Sequence, residues 1–382
     1  MVETSLISLA KKLISIPSYV DDEHNEIELG KFILNYIKSN ARYLKASQQE
    51  VIDGRFNVIA SDDHEPRLMF VCNMDTVIPS AGWKHCRVDE SVEDGKLYGL
   101  GASDMKGAIA CVLDVLTEFD QTKGLMLLFD IGEEHRFEGI KKFLEEYNVK
   151  PELAVFPEPG MAIRNGHRGV IDLKLTIYGV TGHAARPQFG KNAITLGISA
   201  IEASIKDFKA FDNPSFANTT CNIAHIKGGI YGGSDESGKA IILEKGNKIP
   251  DIAVLHLDIR TASEKLDGKK CVSIINTHLN SMGLRLGNAE VMVDYAPLFI
   301  PRSLLTKAER CAEAVLKGNL YADLGLFGFG EGQLLNSKNG TPCVYIGPGL
   351  PEMAHKVDEY VMVEDLERAR ELFRNLILSY CY

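Results

Sequence analysis

The chain has 382 residues, more than one hydrophobic core usually holds, which predicts two domains or one large domain with a sizeable insertion. With 45% hydrophobic and 25% charged residues, its composition is that of a folded globular protein rather than a disordered one. A formal net charge of -10 argues against a nucleic-acid or anionic-membrane surface, both of which need concentrated positive charge, and leaves a small molecule as the expected partner.

In chain order, the first 40 residues carry apolar positions at helical spacing (Leu6, Leu9, Leu13, Ile14, then Leu29, Phe32, Ile33, Tyr36, Ile37), which predicts two amphipathic helices covering one face of a sheet. Short apolar runs bounded by turn residues follow at 67–75, 124–132 and 152–160, alternating with helical stretches such as KGAIACVLDVLTEF. That alternation predicts an α/β layer with a mixed, largely parallel sheet. From 171 the rhythm changes to strand LKLTIYGV, a helix over 191–206, strands CNIAHIKGG and IAVLHLDIR, a helix over 263–281 and strand AEVMVDYAP. This β-α-β-β-α-β order predicts an inserted ferredoxin-like α+β domain. A helix over 304–317, strand TPCVYIGPG and a helix over 363–379 then resume the first pattern. The expected division is a discontinuous first domain, 1–170 and 285–382, and an inserted domain, 171–284.

The eight cysteines, at 72, 86, 111, 221, 271, 311, 343 and 381, form no C-x-x-C pair, and the first 20 residues lack a signal-peptide layout. Reduced thiols in the cytoplasm are expected. Runs such as LMLLFDIG stop far short of the roughly 18 apolar residues a membrane helix requires.

Ligands of open α/β sheets collect at the carboxyl ends of strands. Here those ends carry Asn73-Met74-Asp75, Glu133-Glu134, Pro157-Glu158-Pro159 and, after Gly347-Pro348-Gly349, His355; the loop Gly99 to Gly107 adds Asp104 at a helix entry. Each has an ordinary reading alone: a solvated Glu-Glu pair, a helix cap at Asp104, a loop acid at Glu158, a surface imidazole at His355. Together at successive strand ends they predict converging carboxylates, which repel one another unless a cation sits among them. Carboxylate with imidazole suits zinc, and two bridged ions about 3.5 to 4 Å apart form a common hydrolytic site.

The segments NMDTVIP (73–79), DGKLYGLGASDMKG (94–107), IGEEHRFEG (131–139), FPEPG (156–160), GVTGHAARP (179–187) and GPGLPEMAHKVDEYV (347–361) resemble the acetylornithine deacetylase and succinyl-diaminopimelate desuccinylase family of dinuclear zinc amidohydrolases, relatives of carboxypeptidase G and aminoacylase. The resemblance covers essentially the whole chain. It implies that Asp104 bridges two ions, that Glu158 completes one site, that Glu134 and His355 complete the other, and that Glu133 is the general base. It further implies that Asp75 orients the first ligand, and that His183, on an inserted lid domain, reaches into the partner subunit's active site of a homodimer to stabilise an oxyanion. Arg168, Asn247 and Arg260 would grip the substrate carboxylate. Glu331 matches an acid near the site, without a stated role. Zn(2+), one or two ions per chain, is the implied cofactor, with Co(2+) or Mn(2+) as substitutes. The implied reaction is deacylation of a small N-acyl amino acid, with N-acetyl-L-ornithine ahead of succinyl-diaminopimelate or a dipeptide.

The pattern breaks at Asn73, where the family has histidine. An amide oxygen is a poor zinc ligand beside imidazole, though acceptable to harder ions. Three consequences stay open: a single ion on Asp104, Glu134 and His355; a substitute ligand from Cys72 or His135, with strand alternation counting against Cys72; or a silent relative that binds without turnover.

Overall fold

A computed structural model describes residues 4–85, 91–214, 216–244, 246–324 and 328–382; Cys86 lies outside them. The chain forms two compact units, Met1–Gly166 with Phe299–Asp323 and Gly330–Tyr382, and His167–Leu298 with Leu324–Phe329.

The first unit begins with helices α1 (Ser5–Ile14) and α2 (Ile27–Asn40). Thr4 caps α1, its side chain accepting from the Ile7 N–H, and the apolar stripe Leu6, Leu9, Leu13, Ile14 is buried as the helical spacing requires. Strands β1 (Lys45–Ile52) and β2 (Arg55–Ser61) form an antiparallel hairpin that the sequence reading did not include. Its turn is Asp53-Gly54, both at positive φ (51° and 74°), the geometry of a two-residue hairpin turn. Then come β3 (Leu68–Asn73), β4 (Ser91–Glu93), β5 (Lys96–Tyr98), α3 (Gly107–Val115), β6 (Leu125–Asp130), α4 (Glu138–Glu146) and β7 (Leu153–Arg164). Strand β8 (Gly166–His167) leads into the second unit.

The second unit comprises β9 (Gly169–Tyr178), α5 (Ala193–Phe208), β10 (Thr220–Ser234), β11 (Ala240–Leu243), β12 (Ile252–Thr261), α6 (Gly268–Ser281) and β13 (Arg285–Tyr295), and the chain leaves through β14 (Leu298–Phe299). The first unit resumes with α7 (Thr306–Glu313), α8 (Gly332–Asn339), β15 (Cys343–Gly347), β16 (Tyr360–Met362) and α9 (Val363–Cys381).

The sheet of the first unit runs β1-β2-β6-β3-β7-β15. Its inner strands β6, β3, β7 and β15 are mutually parallel, and the hairpin joins antiparallel at one edge. Strands β3 and β6 are buried at every position, which is why they read as unbroken apolar runs: helices cover both faces of a parallel sheet, so neither face tolerates polar residues. Phe70 of β3 meets Phe373 of α9 edge to face at 5.3 Å between ring centroids.

The second unit's sheet runs β11-β10-β12-β9-β13, all neighbours antiparallel, the ferredoxin-like order with β11 added at an edge. Strand β9 alternates buried and half-buried residues, and its buried set Ile171, Leu173, Leu175, Ile177 stands in register with Ile259, Leu257, Leu255, Ala253 of β12. These residues form one core with Ala200, Ile201, Cys271 and Ile275 from α5 and α6. The division placed after residue 284 is corrected: β13 pairs with β9 along its length, so the second unit extends to Leu298. As an edge strand, β13 is largely exposed.

None of the seven described cysteines is in a disulfide. Among the described residues no helix is long and apolar enough to cross a membrane.

Candidate metal centre and active site

Parallel β3 and β6 end together, Asn73 opposite Asp130, and the Met74 N–H donates to the Asp130 carbonyl at 2.8 Å. This register brings Asp75 against the turn after β6. The Asp75 carboxylate, 1% exposed, accepts the backbone N–H groups of Glu133 (3.2 Å) and Glu134 (2.9 Å) and so fixes the Glu-Glu pair. Asn73 Nδ2 donates to the Asp75 backbone carbonyl at 3.2 Å. Burial, then the Glu26 charge, push the Asp75 carboxyl up to about 8.

Asp104 does not cap α3, whose first residue follows Lys106 with no side-chain cap. It sits on an irregular turn with φ -123° and ψ 92°, and the Asp104–Met105 peptide is cis. The turn is gathered by Glu359, 2% exposed, whose carboxylate accepts the N–H groups of Gly101 (2.9 Å), Ser103 (2.8 Å) and Asp104 (2.9 Å). Burial raises Glu359 to about 7. Beside it Lys106, 1% exposed, donates from Nζ to the Ile16 carbonyl at 2.6 Å, and burial lowers it to about 7. Gly349, at φ 98°, passes so close that a Cβ would lie 2.6 Å from Ser103 Oγ.

On this framework Asp104, Glu134 and His355 place one ligand atom each within 4.8 Å of one another. His355 Nε2 lies 2.9 Å from Glu134 Oε1 and 3.7 Å from Asp104 Oδ2, and the hydrogen bond to Glu134 raises the imidazole's pKa. His355 has φ 63°, a conformation a histidine adopts only where its surroundings impose it. Glu133 and Glu158 crowd the same place: burial first, then neighbouring carboxylates, push Glu133 and Asp104 well above the carboxylate range, and burial raises Glu158. Two carboxylates and one imidazole, pressed together by the fold, are a donor set that fits a divalent ion such as zinc.

Neither substitute ligand joins this group. Cys72 is fully buried, with its thiol pushed well up by burial, and neither it nor His135 is among the three residues whose ligand atoms converge. Asp130 and Glu331 form a second buried acid pair, 0% and 3% exposed. Burial first and the Asp130 charge second push the Glu331 carboxyl well above the usual range, and burial raises Asp130 to about 7.

The remaining candidates lie on the second unit. Arg168 donates to Thr220 Oγ1 at 3.0 Å, and Arg260, bonded to Asp258 at 2.8 Å, is opposite Thr220 in the β10–β12 ladder, so both guanidinium groups share one end of that sheet. His183 and Asn247 are exposed neighbours, joined by the Ala184 N–H to the Asn247 carbonyl at 3.2 Å.

Sequence reasoning assigned nothing to Glu359, Lys106 or Arg164. Arg164 closes β7 and stands in register with Tyr345 of β15, its guanidinium 4.7 Å from the ring centroid. It acts electrostatically on Glu158, Asp104 and Glu133. The only local signal was its place between FPEPG and GHRG.

Comparison with known proteins agrees with this construction. The chain is 26% identical to a succinyl-diaminopimelate desuccinylase of Marinobacter nauticus, covering 98% of each, and 24% identical to an acetylornithine deacetylase of Proteus mirabilis, covering 99% of this chain and 97% of the relative. The solved structure of the Bacillus subtilis YXEP protein, described as a dinuclear metal binding peptidase of this kind, superposes with a TM-score of 0.69 at 16% identity, covering 98% and 97% of the two chains. The profile of peptidase family M20/M25/M40 matches residues 69–379, and the chain belongs to that family of amide-hydrolysing enzymes.

Proposed function

We propose that the chain removes the acyl group from a small N-acyl amino acid in a metal-dependent hydrolysis, with N-acetyl-L-ornithine as the leading substrate, giving acetate and ornithine. The observation that carries this reading is the convergence of Asp104, Glu134 and His355 beside a carboxylate, Glu133, that stands outside the three. Asp104, Glu134 and His355 would hold a divalent ion, which would supply Lewis acidity toward an amide carbonyl and water. Glu133 takes the proton of the attacking water at its carboxylate and returns it to the amide nitrogen, so that the C–N bond breaks with a neutral amine leaving. Asp75 holds the Glu133-Glu134 turn through the two N–H bonds. To Arg168 and Arg260, at one end of the second unit's sheet, and to Asn247 this reading gives the binding of the substrate carboxylate, for which the Arg260 fork must exchange its present partner Asp258.

The test is acetate release from N-acetyl-L-ornithine, run beside succinyl-diaminopimelate and a dipeptide, with and without a chelator. Acetate release that stops with the chelator and returns with zinc, cobalt or manganese is the expected result. Release of succinate alone reassigns the substrate. No turnover of any of the three at micromolar enzyme, with no metal retained, leaves the silent-relative reading that Asn73 motivates.

For His183 the reading is stabilisation of the oxyanion across a homodimer, in the cytoplasm. His183→Ala is then expected to lower kcat by about 10²-fold or more with KM little changed, the cost of losing one oxyanion donor. Unchanged kcat removes His183 from the site.

A further inference from the structure

The buried residues of β9 and β12 pack on α5 and α6, so the alternate residues, among them Lys174, Thr176 and Tyr178 of β9 and Val254 and His256 of β12, line the opposite face of the second unit's sheet. That face carries a wall. Strand β10 shifts register against β11 between Tyr231 and Ser234, where Gly233 has φ 101°, and the hairpin turn beyond is fixed by Asp235. Asp235 Oδ1 accepts the N–H groups of Ser237 and Lys239, both at 2.9 Å, and the Ser237 hydroxyl at 2.7 Å. Ser237, Gly238 and Lys239 of this turn and the sheet face together line a cleft of about 870 Å³, the size of a small-molecule site. All its described lining residues belong to the second unit.

The cleft is positive in a chain whose net charge is -10. Lys174, Lys227, Lys239 and Arg285 line it, from β9, β10, the hairpin turn and β13, and Glu290 is the one acid among its described lining residues. Glu290 stands opposite Lys174 in the β9–β13 register, yet among the described residues no ion pair involves any of the four cations. Two other carboxylates of the face are engaged elsewhere, Asp172 by His256 and Asp258 by Arg260. Cations gathered without partners repel one another, a cost that an anion in the cleft removes.

Their spacing selects the anion. Lys227 is opposite Val254 and Val254 opposite Thr176, so Lys227 and Lys174 stand two strands and one two-residue step apart, roughly 12 Å by strand spacing and rise. A single carboxylate is held best by a planar guanidinium fork, and the one guanidinium among the described lining residues lies over the Tyr178 ring, 4.5 Å from its centroid. Ammonium groups set apart, each a point charge with rotatable donors, suit negative charge spread along a chain of phosphates.

We propose that this cleft binds a small anion carrying two or three linked phosphates. The site uses none of the residues given a role in hydrolysis and stands independently of that reading.

The experiment is calorimetric titration of the full chain at low salt with tripolyphosphate, with adenosine triphosphate and with citrate. It is run on the wild type, Lys174→Gln/Lys227→Gln, Arg260→Gln and, as a control that removes the same charge from exposed positions of the first unit, Lys12→Gln/Lys38→Gln, with melting curves to show that each is folded. The expected result is one tripolyphosphate per chain, bound about tenfold or more weakly by Lys174→Gln/Lys227→Gln and unchanged in the control pair. Equal affinity for both phosphate probes supports the proposal with the phosphate chain as the group read; tighter binding of adenosine triphosphate supports it with the nucleoside seated as well. The proposal is overturned by no binding of either probe at millimolar concentration, by citrate binding as tightly as tripolyphosphate, or by equal weakening in the control pair. Weakening by Arg260→Gln without weakening by Lys174→Gln/Lys227→Gln places the anion at the Arg168 and Arg260 end of the sheet and overturns it too.

Discussion

Glu133→Gln is expected to lower kcat by about 10³-fold while metal content stays at the wild-type value. The substitution keeps the shape and removes the proton acceptor. Glu133 is not among the three side chains whose ligand atoms converge, so the ion does not depend on it. Its backbone N–H remains bonded to Asp75, so the turn that presents Glu134 survives. Steady-state kinetics with elemental analysis on the same preparation separates the two effects. Loss of metal together with activity makes Glu133 a ligand; activity within a few fold of wild type makes another group the base.

Glu359→Ala is expected to have the largest effect on stability, about 3 to 5 kcal/mol. It strips the acceptor from three buried N–H groups, on Gly101, Ser103 and Asp104, and removes the carboxylate that acts on the buried Lys106 ammonium. The same turn carries Asp104, so zinc affinity falls with stability. Glu359→Gln keeps an acceptor oxygen and is expected to lose less of both. Denaturant unfolding and zinc titration check this, and a Glu359→Ala protein with wild-type midpoint and affinity ends the assignment.

The strands that bear the site were legible because buried parallel strands are unbroken apolar runs, and Asp104, Glu134 and His355 were legible because chemistry collects where such runs stop. The β1–β2 hairpin was not, since Lys45–Ile52 is a mostly exposed edge strand whose KASQQEVI offers little apolar alternation; only the Asp53-Gly54 turn announced it. Glu359 and Arg164 were hidden for a different reason. Each acts on residues that chain folding alone brings near, and a lone glutamate beside a tyrosine or an arginine after a proline-glycine turn reads as surface charge. The same holds for the Asp130–Glu331 pair, whose members are 201 positions apart in sequence.

The three hydrogen bonds from the 101–104 turn to Glu359 span 258, 256 and 255 positions of sequence. While the polypeptide is being made, the N–H groups of Gly101, Ser103 and Asp104 therefore lack this acceptor until residue 359 has been added, and His355 arrives in the same stretch. Nascent chains carry the carboxylates of a metal site without its geometry. A chain interrupted before residue 355 lacks both the imidazole of the converging group and the carboxylate that gathers the Asp104 turn.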